Sequence, residues 1–339
     1  MMSPFPPIAA SGMQESIQQS GASSVLRSKT GGNVKEVLLP QNVGELAVLP
    51  DESYCPICRL GVKGPRFFYG GSPLWFCDDC ALYFAPREIS PPGSTSKQLA
   101  EKPGSLYDEL YATSAEYQSL LRQARRSDRR SRMAFCEEMF FRTFPQPLGA
   151  GRLLDVGCGP GHFLRFASER GWKVQGVEIA CSAVEVARAF GLTVFHGSLE
   201  DFLEKNPAPN FDAAVAFEVL EHLEDPLGFL KLLAKAVAGK GVVAISVPNA
   251  LDPFVFLDPR PEVQPPVHLQ FFTRKAIHKA LERAGLVPIM VRTNFLPRPT
   301  MRKVIRSRIQ RAVWKIPLAF LRILGLVEGH QIVGIGKRA

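Results

Sequence analysis

The chain has 339 residues, a hydrophobic content of 46% and a formal net charge of +9. This composition predicts a globular protein with a sizeable core, and no apolar run reaches the roughly 18 residues that a membrane-spanning helix needs. Positions 293–327 hold eight basic residues and no acidic one, so the rest of the chain is close to neutral. We therefore do not expect nucleic acid as a partner.

The first 50 residues are rich in Ser, Gln, Gly and Pro. We predict that they are mostly disordered, with a short extended piece near Val34–Leu39. They carry neither a basic start nor a long apolar run, which argues against a secretory signal. Three cysteines elsewhere in the chain are scattered singly, which suits a reducing compartment. These features together predict a cytoplasmic protein.

Two C-x-x-C pairs occupy residues 51–90, namely Cys55 with Cys58 and Cys77 with Cys80. Four cysteines at this spacing are typical of a structural zinc ribbon, in which no coordination position stays open for catalysis. A redox pair is the alternative, but redox C-x-x-C motifs occur singly on a βαβ unit. Residues 91–145 are expected to form a linker and then a helical segment, in which the arginine-rich centre lies on a solvated face.

From Arg152 onward, short apolar runs alternate with helical patterns. The predicted strands are RLLDVG, KVQGVEI, TVFHG, FDAAVAFEVLEHL (a strand that runs into a turn), GVVAISVPN and, at the end, HQIVGIGKR. Such alternation indicates parallel strands joined by crossover helices, which is a doubly wound α/β sheet. Ligands of such sheets bind beyond the carboxyl ends of the strands, where the strand order reverses.

Three glycines follow the first of these strands at alternate positions, Gly157, Gly159 and Gly161, directly after Asp155. Their spacing lacks the third glycine of a dinucleotide fingerprint, and no G-K-[ST] follows, so the loop is not a phosphate cradle. A tight turn into a helix N-terminus can instead receive a compact ligand that bears a carboxylate and an adenosine. Glu178 ends the second strand, where a carboxylate accepts hydrogen bonds from a ribose diol.

The fourth strand runs into an E-x-L-E-H-x-x-D-P pattern at residues 218–226. With the glycine loop and Glu178, this pattern makes residues 153–339 resemble the class I S-adenosylmethionine-dependent methyltransferases, within a large bacterial group that shares the pattern. The resemblance implies a Rossmann-like, mostly parallel seven-stranded sheet over residues 146–339 and S-adenosylmethionine as the cofactor. The stretch WFCDDCALYFAP also resembles the small zinc head that precedes many of these enzymes.

The resemblance implies a role for each residue of the cofactor site. The loop from Asp155 to Gly161 would surround the methionine part, Glu178 would bind the ribose hydroxyls, and Phe217 would line the cofactor. Many members have an aspartate for the adenine amino group where this chain has Ser198 followed by Leu199. We therefore expect contact with adenine through backbone groups, with Glu200 or Asp201 as the alternative.

Two histidines are candidates for a general base, which methyl transfer to a hydroxyl would use. His222 follows the fourth strand, and His268 closes a Pro- and Phe-rich region at residues 250–272 that we interpret as a lid and acceptor wall. A hydrogen bond to a neighbouring loop is the purely structural alternative for His222. Ubiquinone-pathway O-methyltransferases have a similar E-x-x-E-H stretch that is proposed to hold a divalent ion. The counterparts here are Glu218, Glu221 and His222.

Residues 298–326 are interpreted as a basic insertion, and the pattern of residues 301–316 predicts an amphipathic basic helix. This helix either packs on the catalytic domain or contacts the anionic inner surface of the cytoplasmic membrane. The function predicted overall is methyl transfer to a small-molecule or glycan acceptor. The alternatives are an RNA methyltransferase that uses the ribbon and the basic segment, and a non-catalytic zinc-ribbon adaptor.

Overall fold

A computed structural model gives the fold for part of the chain. It describes residues 25–30, 33–38, 52–69, 71–85, 103–113, 118, 134–144, 151–252, 263–293 and 329–339. The basic insertion predicted at residues 298–326 and the centre of the predicted lid lie outside these residues. None of the helices within the described ranges combines the length and apolarity that crossing a membrane requires.

The N-terminal part of the described chain is built of short strands. They are β1 Val25–Thr30, β2 Asn33–Leu38, β3 Glu52–Tyr54, β4 Gly61–Lys63, β5 Phe67–Tyr69, β6 Ser72–Cys77 and β7 Leu82–Phe84. Strands β1 and β2 pair antiparallel in the segment for which the sequence predicted one extended piece. Strands β3 and β4 form a second antiparallel pair, and β5, β6 and β7 form a meander. Together β3–β7 carry the four paired cysteines and are called the ribbon below.

Two helices follow the ribbon, α1 Pro103–Thr113 and α2 Ala134–Thr143. The rest of the chain alternates strands and helices. The strands are β8 Arg152–Val156, β9 Lys173–Glu178, β10 Val194–His196, β11 Phe211–Phe217, β12 Val237–Pro248, β13 Gln270–Phe271, β14 Leu286–Thr293 and β15 Gln331–Arg338. The helices are α3 His162–Ser168, α4 Cys181–Ala189, α5 Leu199–Lys205, α6 Pro226–Ala236 and α7 Arg274–Arg283, with a 3-10 turn at Leu220–His222.

Seven of these strands form one sheet in the order β10-β9-β8-β11-β12-β15-β14. The pairs from β10 to β12 are parallel, and β15 lies antiparallel between β12 and β14. The doubly wound, mostly parallel seven-stranded sheet that the sequence predicted is thereby confirmed. The strand order reverses between β8 and β11, so a crevice opens beyond the carboxyl ends of these two strands.

The sequence explains why these elements form. Strand β11 reads FDAAVAF and is buried at all positions except Asp212, as expected for a parallel strand covered by helices on both faces. Side chains cap three helices. Ser198 and Asp201 form a capping box on α5, Asp225 accepts from the backbone N–H of Gly228 on α6, and Thr273 accepts from that of Ala276 on α7. The α5 cap fixes the chain just beyond the carboxyl end of β10, on the edge of the sheet where the crevice opens.

Candidate functional site

The glycine loop after β8 has the backbone that its sequence predicted. Gly157, Gly159 and Gly161 have φ angles of 72°, 52° and 83°, which residues other than glycine rarely adopt. A Cβ atom on Gly157 would lie 2.5 Å from Val219 Cγ2, and one on Gly159 would lie 3.1 Å from the Tyr111 hydroxyl. The loop therefore needs glycine both for its conformation and for its close packing.

Glu178, at the end of β9, lies directly against this loop. Its Oε2 accepts the backbone N–H of Gly159 at 2.8 Å, and its Oε1 accepts those of Ile179 and Ala180 at 2.9 Å. The carboxylate is 7% exposed, so it is held in place at the base of the crevice. A carboxylate has about four acceptor positions, so these three bonds leave it able to accept a ligand hydroxyl.

Buried acidic groups give the crevice a negative character. Burial raises the pKa of Asp155 well above its ordinary value, and the charges of Glu178 and Glu137 raise it further. Burial also raises the pKa of Glu178, against the opposing effect of its three backbone hydrogen bonds. A positively charged ligand would stabilise the ionised form of a carboxyl whose pKa is raised by burial and by neighbouring acids.

Helix α1 lies over the crevice, which the sequence did not predict. Asp108 accepts the backbone N–H and the hydroxyl of Ser182 at 2.9 and 2.8 Å, and so caps the start of α4. Tyr111 is buried with Ala180 and Ala183, next to Gly159. An acid 74 positions away from the helix that it caps leaves no local pattern in the sequence. The tyrosines of α1 were the available signal.

The predicted adenine position lies at the end of β10. Ser198 is bonded within its own capping box, because its hydroxyl accepts the Asp201 backbone N–H and donates to the Asp201 carboxylate. Leu199 is 2% exposed and belongs to the core. Side-chain contact with adenine from these two residues is therefore disfavoured. The first backbone N–H groups of α5 have no partner within the helix, which fits the expectation of backbone contact.

Phe217 and Glu218 end β11 at the reversal of strand order. The Phe217 ring packs edge-on against Phe163 with centroids 5.0 Å apart, in a buried cluster beneath α3. Glu218 accepts from the Ser246 hydroxyl and from the Gln331 side-chain amide, each at 3.0 Å. Phe217 thus contributes packing at the crevice floor, and Glu218 is bonded to β12 and β15.

The two candidate histidines, far apart in sequence, lie together. The ring centroids of His222 and His268 are 4.7 Å apart with planes at 87°. His222 Nδ1 is 2.8 Å from the Val267 carbonyl oxygen. Because a carbonyl oxygen only accepts, Nδ1 carries the proton and Nε2 is the acceptor nitrogen of a neutral ring. Burial lowers the pKa of His222 to about 4, which keeps the ring neutral.

Glu221 lies beside this pair and is 1% exposed. Within the described part of the chain, no donor forms a hydrogen bond with either of its carboxylate oxygens. His222 Nε2 is 3.9 Å from Glu221 Oε1. Burial raises the pKa of Glu221 well above its ordinary value, and the charge of Glu218 adds to the effect. A buried carboxyl without a partner is costly, so its position beside two imidazoles is a mark of function.

These three side chains also form a candidate cation site. Glu221, His222 and His268 offer ligand atoms within 4.8 Å of one another. The E-x-L-E-H pattern had pointed to Glu218, Glu221 and His222. Glu218 is bonded elsewhere and is replaced in this set by His268. The pattern could not reveal His268, because that residue arrives from the segment before β13.

The four ribbon cysteines form the tetrad that their spacing predicted. Cys55, Cys58, Cys77 and Cys80 are buried, and their sulfur atoms lie within 4.8 Å of one another. Hydrogen bonds from the thiols of Cys55 and Cys80 lower the pKa of Cys77 to about 2. Four converging sulfur atoms with a stabilised thiolate fit a tetrahedral zinc ion and leave no open coordination position.

A protein family described as a methyltransferase domain matches residues 120–291, just over half of the chain. The matched residues include the glycine loop, Glu178 and both histidines.

Curated relatives match a shorter part of the chain. A ubiquinone biosynthesis O-methyltransferase of Xylella fastidiosa is 34% identical over 109 residues, covering 30% of this chain and 44% of the relative. A second, from Idiomarina loihiensis, is 35% identical over 104 residues, covering 29% and 42%. The chain thus spans less than half the length of these relatives.

Solved structures resemble the chain at low sequence identity. The 1,6-didemethyltoxoflavin-N1-methyltransferase of Burkholderia thailandensis has a TM-score of 0.49 and 16% identity, covering 78% of this chain and 98% of that one. An S-adenosylmethionine-dependent methyltransferase of Archaeoglobus fulgidus has a TM-score of 0.48 and 19% identity, covering 66% and 100%.

Proposed function

This chain belongs to the methyltransferase-domain family, within the class I S-adenosylmethionine-dependent group, and we propose that it methylates a hydroxyl of a small-molecule or glycan acceptor. The observation that carries the proposal is the juxtaposition of two different sites at one end of the sheet. A crevice lined by buried acids lies beyond β8 and β9, and beside it His222, which follows β11, lies against His268, which precedes β13.

The residues of the crevice fit S-adenosylmethionine. When bound, the cofactor supplies a methyl group on a positively charged sulfonium, and it leaves as the neutral thioether. The carboxyls of Asp155 and Glu178 favour a cation, and Glu178 has acceptor capacity for ribose hydroxyls. The left-handed glycines let the backbone approach the ligand closely.

The histidine pair supplies the base. His222 is neutral and presents Nε2 as an acceptor, so it can take the proton of an acceptor hydroxyl while the oxygen forms its bond to the methyl group. The carboxyl of Glu221, 3.9 Å from Nε2, would stabilise the resulting imidazolium. His268 lies at right angles to His222 and would orient the ring or take the same role for another acceptor geometry.

The surroundings of the pair favour a ring-shaped acceptor. Tyr107 lies edge-on to His222 with centroids 5.9 Å apart, and Phe271 lies 6.4 Å from His268. Aromatic walls bind phenols and the apolar faces of sugars, whereas a polyanion such as RNA would need basic groups. Partly apolar walls therefore support a small-molecule or glycan acceptor.

A divalent ion is the second candidate for this position. The carboxylate oxygens of Glu221, without hydrogen-bond donors in the described chain, support it, as do the two imidazole groups beside them. Such an ion would be held by Glu221, His222 and His268, and it would polarise the acceptor oxygen in place of a base. Dialysis against a chelator separates the two roles, because loss of methyl transfer that added Mg²⁺ or Zn²⁺ restores would favour the ion.

The cysteine tetrad would hold a structural zinc ion. Its four sulfur atoms close the coordination sphere, so zinc there would stabilise the ribbon and take no part in the chemistry. Metal analysis of the purified chain tests this directly. Zinc at about one ion per chain is expected, and its loss after Cys58→Ser would identify the site.

A membrane contact is proposed from the sequence of residues 298–326 alone. Its eight basic residues and amphipathic pattern would place a cytoplasmic enzyme beside a lipid-linked glycan acceptor. Co-sedimentation with anionic and neutral vesicles at low and high salt tests it. Equal, negligible binding to both kinds of vesicle would remove the reason for a membrane-proximal acceptor.

The decisive experiment uses the full chain with S-adenosylmethionine labelled in its methyl group. Calorimetry with S-adenosylhomocysteine first tests the cofactor site. The labelled cofactor is then offered with phenols, sugar nucleotides and bulk RNA in parallel. Label in a phenol or a sugar is expected. Salt-sensitive labelling of RNA would favour the RNA alternative, and absence of cofactor binding would favour a non-catalytic adaptor.

A further inference from the structure

The ribbon and the histidine segment share one sheet. Strand β13, which begins two residues after His268, pairs antiparallel with β7, the last ribbon strand. In this register Gln270 is opposite Phe84, and Phe271 is opposite Tyr83. The backbone N–H of Ala85 also donates to the Leu269 carbonyl at 2.9 Å. The ribbon therefore bonds to the backbone directly after His268.

The other side of the same segment bonds to the turn after β11. The Leu269 N–H donates to the Glu221 carbonyl oxygen at 2.7 Å, and the Gln270 side-chain amide donates to the Leu223 carbonyl at 3.1 Å. His222 Nδ1 donates to Val267 in the same way. Residues 267–270 thus lie between the ribbon on one side and the turn that carries Glu221 and His222 on the other.

The ribbon and the turn after β11, which lie on either side of residues 267–270, belong to one buried hydrophobic cluster. Trp75, Leu82 and Phe84 of the ribbon belong to the same buried cluster as Leu220, Phe272 and Ala276, and the cysteine tetrad belongs to it as well. The hydroxyl of Thr273, the cap of α7, donates to the Ala81 carbonyl at 2.8 Å. The ribbon is therefore continuous with the core that supports the histidines.

We propose that the ribbon is a positioning element of the active site, which holds His268 against His222 through the bond from Ala85 to Leu269 and the pairing of β7 with β13. The catalytic role of the two histidines rests on the proposed function, but the dependence of the His268 position on the ribbon does not. A segment with few bonds of its own takes its geometry from the edges that it bonds to, and here one edge is the ribbon. The function of the cysteine tetrad is then to keep β7 in place.

The test is an Ala85→Pro variant of the full chain, which removes one N–H donor and leaves all four cysteines in place. Ala85→Ser is the matched control, because it keeps the N–H and nearly the size. In Ala85→Pro we expect amide exchange in residues 267–270 to speed up by about fivefold to tenfold, as loss of one hydrogen bond implies. The ¹⁵N imidazole signals of His222 and His268 should shift, and Ala85→Ser should resemble the parent chain.

Two further measurements keep the test decisive if Ala85→Pro does not fold. Cys58→Ser, which removes one member of the cysteine tetrad and leaves Glu221, His222 and His268 in place, should speed exchange in residues 267–270 and leave residues 155–161 protected. The affinity for S-adenosylhomocysteine should stay within about twofold of the parent chain, since in the described residues the hydrogen bonds of the glycine loop and Glu178 go to β9, to α3, to the residues after β9 and to one another. Lys279→Met removes a partly exposed ion pair between α7 and Asp79 of the ribbon, keeps the pairing of β7 with β13, and should leave residues 267–270 unchanged.

Unchanged exchange at residues 267–270 in both Ala85→Pro and Cys58→Ser would overturn the positioning role. Equal acceleration across the whole seven-stranded sheet would overturn it too, because the ribbon would then be a general stabiliser. Failure of the proposed function looks different: the chain would not bind S-adenosylhomocysteine, whatever the exchange of this segment.

Discussion

The two halves of the crevice are built in opposite ways. On the cofactor side, the glycine loop and Glu178 lie on adjacent parallel strands, and the Gly159 N–H bonds directly to Glu178. On the histidine side, His222 follows β11, whereas His268 arrives from the segment before β13, which pairs with the ribbon. The first half is a local motif, and the second is assembled from three distant parts of the chain.

This difference separates binding from chemistry. The cofactor side depends on backbone conformation, so substitutions there should act on affinity. The histidine side depends on side chains and on their support, so substitutions there should act on turnover and leave the cofactor bound. Substitutions on the two sides can therefore separate cofactor affinity from turnover.

Gly159→Arg should abolish detectable binding of S-adenosylhomocysteine. Gly159 has a φ of 52°, and its Cβ would lie 3.1 Å from the Tyr111 hydroxyl, so a long side chain has to enter the crevice. Gly171→Arg is the matched control, because Gly171 has a φ of 83° and open space around it. Both variants carry a backbone cost of about 1 kcal/mol. Calorimetry should therefore show that Gly171→Arg still binds S-adenosylhomocysteine. If both variants lost binding, backbone strain rather than a blocked crevice would explain the loss.

His222→Asn should lower the rate of methyl transfer by about a hundredfold, the usual contribution of a positioned base. Its affinity for S-adenosylhomocysteine should be unchanged, because the side-chain contacts of His222 in the described residues are with Val267, Glu221, Tyr107 and His268. His278→Asn, on the exposed face of α7, is the control. Rates come from transfer of labelled methyl to a phenol or a sugar nucleotide. A variant that loses cofactor affinity and rate together would contradict the separation of the two halves.

The sequence predicted the geometry of the glycine loop and its neighbour Glu178, which we propose as the cofactor side, because the signals for them are short in range. Alternate glycines after an apolar strand, with an acid at the end of the next strand, identify the loop and Glu178 without knowledge of the fold. The cysteine tetrad could be predicted for the same reason, since two C-x-x-C pairs carry their geometry in their spacing. The seven-stranded sheet followed from the alternation of strands and helices and from the resemblance.

The rest depends on contacts that no spacing encodes. The motif suggested Glu218 as a partner of Glu221 and His222, yet Glu218 turns to Ser246 and Gln331. The pairing of β13 with β7 involves two residues on β13, too few for any periodic pattern. Asp108 caps a helix 74 positions away. Each of these contacts is decided by how whole elements pack, so the sequence could name His268 but not its position beside His222.

Glu221→Gln should stabilise the metal-free chain by about 1–3 kcal/mol at neutral pH, since it removes a carboxyl that ionises freely in the unfolded chain but not at its buried position in the folded one. The folded-state pKa of Glu221 is raised above its unfolded value, so the parent chain loses stability as pH rises from about 4.5 through the folded pKa. The gain should therefore vanish near pH 4, where both states are protonated.

Denaturant unfolding at two pH values measures this gain. Glu204→Gln, at an exposed position on α5, is the control and should change little. A loss of stability in Glu221→Gln that chelator treatment abolishes would identify a bound cation at this position and sharpen the role of the histidine side.

The smallest effect is a pH dependence on the cofactor side. Burial raises the pKa values of Asp155 and Glu178; the charges of Glu178 and Glu137 add to the shift of Asp155, and the charge of Asp108 adds to that of Glu178. A raised carboxyl is protonated over part of the range above its ordinary value, and only its ionised form attracts a cation. S-adenosylmethionine carries a sulfonium charge that S-adenosylhomocysteine lacks. Between about pH 5 and about pH 8, the affinity for S-adenosylmethionine should therefore rise a few-fold more than the affinity for S-adenosylhomocysteine does.

Calorimetry of both ligands in buffers of different ionisation enthalpy would also show greater proton release on binding of S-adenosylmethionine. Parallel pH profiles for the two ligands would mean that these acids do not face the sulfonium. Their contribution to cofactor binding would then be limited to contact with the ribose hydroxyls.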